Sequence, residues 1–244
     1  MRSMLLVPML ALTLLVTGCA DYRDAVRAEQ CLAAAQQALA ARQPAEAQAL
    51  AIKASRLRPD SPVVQGRVGA MLAAMGLERE ALRHFDRALG GRGRLPAAVL
   101  AAAIDTYLVV GRERQAAAAL LSAVRRYPRD ALVLNELGYA CADRGALLPQ
   151  AEQVLAQAVS LAPDNGAILD SLGWAMVKQG KLQPGRALLV RADALMPNNY
   201  EIVYHLATVS LLLGDHRQAK RLAGRALALE PEYEPARTLL RSLR

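Results

Sequence analysis

Residues Leu134–Pro197 read LNELGYACADRGALLPQAEQVLAQAVSLAPDNGAILDSLGWAMVKQGKLQPGRALLVRADALMP, and the second half nearly repeats the first. Leu137-Gly138-Tyr139 is answered by Leu172-Gly173-Trp174, Gly145 by Gly180, Ala158 by Ala192 and Pro163 by Pro197. A fixed period of this size means one supersecondary unit copied along the chain, and that decides the fold before any other feature is weighed.

Extending the register both ways gives six units. Their closing position falls at Pro59, Gly93, Pro128, Pro163, Pro197 and Pro231, in steps of 34, 35, 35, 34 and 34 residues. A small residue stands five positions earlier in every unit, at Ala54, Ala88, Ala123, Ala158, Ala192 and Ala226. Another stands about twelve earlier, at Ala47, Ala81, Ala116, Ala151, Gly185 and Ala219. A mid-unit glycine recurs at Gly76, Gly111, Gly145, Gly180 and Gly214; the first unit has Arg42 there, and Gln43-Pro44 is expected to make its turn. Each unit thus holds two apolar-periodic segments of helical length, joined at a glycine and stopped by proline. The alanine columns fall where paired helices must come close, because a larger side chain would force them apart.

This pattern resembles the tetratricopeptide repeat, a helix-turn-helix unit of about 34 residues. The resemblance implies an all-α solenoid of about six repeats, 28–61, 62–96, 97–130, 131–165, 166–199 and 200–233. These would form one right-handed superhelical domain closed by a capping helix at 234–244, whose Leu239, Leu240 and Leu243 cover the last unit. Unit four carries one extra residue in its Gly145–Pro149 turn. Gly90-Gly91-Arg92-Gly93-Arg94 reads as a flexible bend between two blocks; it lacks the Gly-Lys-Ser/Thr of a phosphate-binding loop.

The hydrophobic fraction is 54%, much of it alanine, which suits close helix packing. Net charge is +8, but the arginines are spread along the chain with acids between them, so no nucleic-acid partner is expected. Residues 1–18 read as a signal segment: Arg2 supplies the positive start, and Leu5–Val16 is an apolar run short for a membrane span. Val16-Thr17-Gly18-Cys19 resembles the lipobox of bacterial lipoproteins. That resemblance implies cleavage before Cys19 and acylation of its thiol, with residues 19–27 as a short tether. Alanine rather than aspartate at position 20 implies the outer membrane, periplasmic face. Asp21 could cap the helix that enters the first unit. Cys31 and Cys141 lie three units apart, beyond the reach of a disulfide, and read as small buried apolar residues.

No catalytic, metal-binding or cofactor-binding constellation is legible, and neither an enzyme nor a small-molecule ligand is expected. His84, His205 and His216 sit on separate helices, outside any Ser-His-Asp, HExxH or paired-carboxylate pattern. What remains is recognition of a protein. The resemblance implies that first helices line a concave face. Its groove positions here include Asp105 in unit three, Asn135 and Tyr139 in unit four, Asp170 and Trp174 in unit five, and Tyr204 and Thr208 in unit six. Tyr139, Trp174 and Tyr204 would make a line of aromatic anchors. The other reading packs Tyr139 and Trp174 sideways between adjacent first helices.

A lipoprotein of six such repeats resembles the pilus-assembly lipoproteins, above all the TadD family of the tight-adherence (Flp) pilus, through Asn-x-Leu-Gly-Tyr and Asp-x-Leu-Gly-Trp. That resemblance implies a protein partner at the outer membrane, the secretin or another pilus-assembly component, with a lipid anchor as the membrane attachment. The type IVa pilotins, and scaffolds for cell-wall enzymes similar to the NlpI lipoproteins, are the alternatives.

Overall fold

The computed structural model describes the backbone of residues 6–243 and the side chains of residues 21–243. The expected signal segment 1–18 and the Cys19 thiol lie outside the side chains described. Among the described residues the secondary structure is thirteen α-helices and no strand. They are α1 (Leu6–Ala40), α2 (Pro44–Leu57), α3 (Pro62–Ala74), α4 (Glu78–Gly90), α5 (Ala97–Val109), α6 (Glu113–Arg126), α7 (Ala131–Asp143), α8 (Leu148–Leu161), α9 (Gly166–Lys178), α10 (Leu182–Leu195), α11 (Tyr200–Leu212), α12 (His216–Leu229) and α13 (Glu234–Ser242). No helix among these residues is long and apolar enough to cross a membrane.

Proline sets the ends. Arg58, Tyr127, Ala162, Met196 and Glu230 each precede a proline, and each leaves the helical region with ψ between 48° and 93°. The proline ring clashes with a helical residue before it, so the second helix stops there. Two or three residues on, a short polar side chain starts the next first helix by accepting from its free N–H groups. Asp130 accepts from Val133, Asn165 from Ala167 and Ile168, and Asn199 from Glu201 and Ile202. The alanine columns are interior: Ala54, Ala88, Ala123, Ala158, Ala192 and Ala226 have no exposed surface.

Two expectations about turns change. Gln43-Pro44 does not make the first turn by itself; Arg42 adopts the left-handed conformation, φ 58°, that glycine supplies elsewhere. The extra residue of the fourth turn appears as a second left-handed position, Leu147 at φ 51°, just before α8. Nor is Asp21 a cap. It lies inside α1, because the apolar run upstream continues the helix through it, and its carboxylate is 3.4 Å from Arg58 Nη1.

The chain divides into two compact units, Met1–Thr106 and Tyr107–Arg244. The division falls inside α5 and not at the glycine-rich loop. That loop is packed: a Cβ on Gly91 would stand 2.4 Å from Pro62 Cγ, and Leu95 is fully buried.

In the first unit α1 pairs with α2 and α3 with α4. Gly69 lets α3 lie directly on the Phe85 ring, which a Cβ would meet at 2.9 Å. Beside it, Gln65 Nε2 donates to the carbonyls of Ser55 and Arg58, both at 3.1 Å. That orientation turns Gln65 Oε1 toward His84, whose Nδ1–H donates to it at 2.8 Å. Cys31 is buried in this unit, as Cys141 is in the other.

In the second unit α7 pairs with α8, α9 with α10 and α11 with α12, while α7, α9 and α11 lie side by side. Helices α9 and α10 approach closely where Gly173 meets Gly185: a Cβ on Gly185 would stand 2.8 Å from the Gly173 carbonyl oxygen. Helix α13 packs on α12 and α11, with Leu239 and Leu240 against the core that contains Trp174, Val203, Leu206 and Leu222. Ion pairs tie successive repeats together. Arg225 grips Asp193 with two bonds of 2.8 and 2.9 Å, and Lys181 meets Glu152 at 2.6 Å.

Candidate functional site

The candidate face is the row α7–α9–α11 in the second unit. Asn135 and Tyr139 lie one turn apart on α7, Asp170 and Trp174 one turn apart on α9, and Tyr204 and Thr208 one turn apart on α11. Spacing of four residues puts each pair on one side of its helix. Asp105 stands on α5, in the first unit.

The expected line of exposed anchors is corrected at its centre. Trp174 is only 6% exposed and belongs to the core, and Asp170 is 7% exposed. Of the two readings of Trp174, the structure takes the one in which it packs between neighbouring first helices. Its indole stacks on the His205 ring, centroids 4.1 Å apart and planes 15° apart. His205 Nδ1 in turn lies 2.8 Å from Asp170 Oδ1. The cause is the crowding of a first helix that has a neighbour on each side and its own second helix behind, so side chains directed sideways are covered.

Tyr139 and Tyr204 are half-buried, as are Asn135 and Thr208. Tyr139, Tyr204 and Tyr233 pack against the core. Tyr204 tilts against Trp174 at 6.5 Å and meets Tyr233 edge-on at 5.4 Å; Tyr200 meets Tyr233 edge-on at 4.8 Å. Aromatic pairs favour such edge contacts because the positive ring rim meets the negative ring face. Lys178 Nζ lies 4.9 Å over the Trp174 ring and donates to the carbonyl of Asp143 at 3.3 Å.

Two electrostatic features mark this face. Burial first, and then the carboxylates of Asp143, Glu201 and Asp170, push the Tyr139 phenol above its ordinary value of 10. Burial and then Glu201 do the same to Tyr233. Both phenols therefore stay protonated and able to donate at any physiological pH. Second, two buried polar atoms lack a hydrogen-bond partner: the acceptor Asn135 Oδ1 and the donor Trp174 Nε1. Such atoms are rare in a folded interior and cost free energy, so each calls for a reason.

The hydroxyls of Ser171, Thr208 and Ser210 each donate back to their own helix, to the carbonyls of Ala167, Tyr204 and Leu206. Among the described residues no group of three or more His, Cys, Asp or Glu side chains could hold a metal ion.

Sequence reasoning did not include His205, Tyr200, Tyr233 or Lys178 in this face. A signal existed for the first: Asp170 and His205 are 35 residues apart, one repeat, which sets them on adjacent first helices. Tyr233 precedes the capping helix, and nothing in the repeat pattern places it against Tyr200 and Tyr204.

The family model of the tetratricopeptide repeat matches residues 176–243. No curated protein sequence matches the chain. Among solved structures the chain is similar to PilW, a widely conserved type IV pilus biogenesis factor, with TM-score 0.65 and 15% identity over 87% of this chain and 98% of that one. It is similar to pilF of Pseudomonas aeruginosa, with TM-score 0.59 and 15% identity over 90% and 99% of the two chains. It is also similar to a chain of the APC/C hetero-tetramer Cut9–Hcn1, with TM-score 0.60 and 20% identity over 94% of this chain. There it spans 45% of the other chain's length. With the repeat model and the helix pairs above, these likenesses establish an all-helical fold of the tetratricopeptide solenoid type.

Proposed function

We propose that this chain is an adaptor lipoprotein, held by an acylated Cys19 on the periplasmic face of the outer membrane. It binds a segment of a pilus-assembly protein, the secretin, on the α7–α9–α11 face. One observation carries the choice of face: the half-buried rings of Tyr139, Tyr204 and Tyr233 pack on one core, and on α7 and α9 of the same row a buried acceptor, Asn135 Oδ1, and a buried donor, Trp174 Nε1, have no partner. A partner main chain that displaces the side chains covering these atoms would offer the complementary N–H and C=O.

The pilus assignment rests on the lipobox and on the fold shared with PilW, whose own description is a type IV pilus biogenesis factor. The Leu-Gly-Tyr and Leu-Gly-Trp segments that suggest the TadD family have an architectural explanation here. Gly138 and Gly173 admit Leu155 and Leu189 at helix crossings, and Trp174 fills the core. They carry no preference between tight-adherence and type IV systems.

The test is capture of purified secretin by the full chain in detergent, compared with Asn135→Ala. The wild type is expected to retain the secretin. Loss of the Asn135 side chain, at an unchanged melting temperature, is expected to weaken capture by about 5-fold or more, the loss of one hydrogen bond to the partner. Failure of the wild type to retain secretin sinks the partner assignment. Equal capture by both sinks the choice of face.

A further inference from the structure

The first unit holds a groove of about 470 Å³ between α1 and α2, a size that suits a small ligand. Arg27, Gln30, Cys31 and Ala34 line it from α1, and Leu50, Lys53 and Leu57 from α2. Steps of three and four residues put each set on one face of its helix. The lining has two chemistries. Ala34, Leu50 and Leu57 are half-buried and apolar, and Cys31 is buried beside them. Arg27 and Lys53 are exposed cations, and no carboxylate lines the groove.

Both cations are open to a ligand. Among the described residues Lys53 has no hydrogen bond or ion pair. The ionic partner of Arg27 is Asp24 on its own helix, at 3.9 Å, with side chains 66% and 42% exposed. Pairs of that kind are weak. The nearby carboxylates of Asp21 and Glu29 are held by Arg58 and Arg67.

The groove also lies close to the proposed anchor. Helix α1 runs unbroken through Cys19. Cys19, Arg23, Arg27, Gln30 and Ala34 follow at spacings of four, four, three and four, so their backbone positions share one face. From Cys19 to Gln30 the helix rises about 16 Å. Tyr22 and Val26, 71% and 39% exposed, stand on the turns between Cys19 and the groove. An acylated Cys19 would therefore set this side of the first unit near the bilayer surface.

We propose, on the reading of Cys19 as the acylated residue, that the α1–α2 groove holds one anionic phospholipid of the membrane that anchors the chain. Its phosphate sits between Arg27 and Lys53, and an acyl chain lies on Ala34, Leu50 and Leu57. Charge and polarity together select this occupant. A free phosphate ion would leave the apolar wall in water, and an uncharged chain would leave the two cations without a counter-ion. An anionic amphiphile satisfies both, and basic residues at a bilayer surface favour anionic lipid. Such a lipid fixes the orientation of the first unit on the bilayer, which the acylated thiol alone does not.

Cys31 is the reporter, because it lines the groove, and Cys141, with no exposed surface, is the control. The full chain in nonionic detergent is titrated with phosphatidylglycerol, phosphatidylcholine, inorganic phosphate or a blocked Glu-Glu peptide. Alkylation of each cysteine by a small maleimide is followed by mass spectrometry, and the melting temperature is read in parallel. Phosphatidylglycerol is expected to slow the reaction of Cys31 saturably and to raise the melting temperature, since a ligand bound only by the folded state stabilises it. Phosphatidylcholine should act about 10-fold more weakly. Phosphate and the peptide should do neither. Lys53→Gln should reduce phosphatidylglycerol to the level of phosphatidylcholine, and Lys53→Arg should retain its effect. Lys220→Gln removes an exposed cation of the second unit and should change nothing.

No effect of phosphatidylglycerol, equal action of the two lipids, or an equal loss in Lys220→Gln would each overturn the proposal. So would an effect of the peptide in place of the lipid, which assigns the groove to a protein segment. A Cys31 shielded before any lipid is added, and released in Cys19→Ser, would assign the groove to the chain's own acyl group and overturn it as well. The anchor fails separately, by labelled fatty acid. Label on Cys19 without a phosphatidylglycerol effect keeps the anchor and removes the groove lipid. The lipid effect on a chain that takes up no label does the reverse.

Discussion

His205 Nδ1 lies 2.8 Å from Asp170 Oδ1, and the two residues stand one repeat apart on α9 and α11. The pair joins neighbouring first helices at a depth where water cannot replace either partner, and Trp174 covers it by stacking on the imidazole. Asp170→Ala leaves a buried ring N–H without an acceptor and is expected to destabilise the protein by about 1–3 kcal/mol. Asp170→Asn keeps an oxygen at the same place and is expected to lose less than half as much. Urea unfolding followed by circular dichroism measures both. An alanine variant as stable as wild type would mean that the pair does not support the core.

The crossing of α9 and α10 gives a second expectation, with an internal control. Gly185→Ala gains about 1 kcal/mol of helix propensity. Its Cβ, however, would stand 2.8 Å from the Gly173 carbonyl oxygen and 2.7 Å from Val177 Cγ2. A backbone oxygen cannot swing aside, so the helices must separate at a cost of about 1–3 kcal/mol. The expected net effect is a loss of stability. Gly224, on α12, has nothing within 4 Å of the place where a Cβ would stand. Gly224→Ala is therefore expected to stabilise by about 0.5–1 kcal/mol. The same sign for both variants in one unfolding series would contradict the close crossing.

Much of the fold was legible because its signals are local and copied. Proline stops, polar caps, turn glycines and alanine columns each act within a few residues, and repetition averages away the exceptions. What the period does not encode is which side of a first helix stays open. Trp174 and Asp170 occupy positions read as groove-facing, yet both are covered, because the neighbouring helix brings His205 to them. Likewise Tyr233 enters the aromatic cluster from the start of α13, which belongs to no repeat. The division within α5 carries no glycine or proline mark; the mark that was read as a bend, Gly90–Gly93, is a packed loop.

The turn of the first repeat should be improvable. Arg42 holds φ 58°, a conformation that costs a residue with a Cβ about 1–2 kcal/mol. Glycine relieves that cost but loses about 0.5–1 kcal/mol through the greater freedom of the unfolded chain. Arg42→Gly is expected to stabilise by about 0.5–1 kcal/mol. Gly180 holds φ 78° with open space around it, so Gly180→Ala should lose about 1 kcal/mol from backbone conformation alone. Melting curves of the two variants should move in opposite directions. A destabilised Arg42→Gly would show that the arginine side chain, and not the turn, matters there.

The Gln65–His84 bond predicts a pH dependence in the first unit. Gln65 Nε2 donates to two carbonyls, which leaves its Oε1 as the acceptor for His84 Nδ1–H. Burial first, and then Arg87, lower the His84 pKa from its ordinary 6.5; Glu80 opposes and Arg83 adds to the lowering. The folded form therefore binds this proton less readily than the unfolded form. By linkage, the stabilisation is fully present above pH 6.5 and is lost as pH falls from there toward the lower folded pKa. Melting temperatures between about pH 8 and pH 5 should fall on the acid side. The fall should be smaller in His84→Gln, which removes the titrating ring while offering an amide to the same Gln65 oxygen. His205 and His216 are present in both proteins, so the difference between the two profiles isolates His84. Parallel profiles would show that protonation of His84 is not coupled to folding.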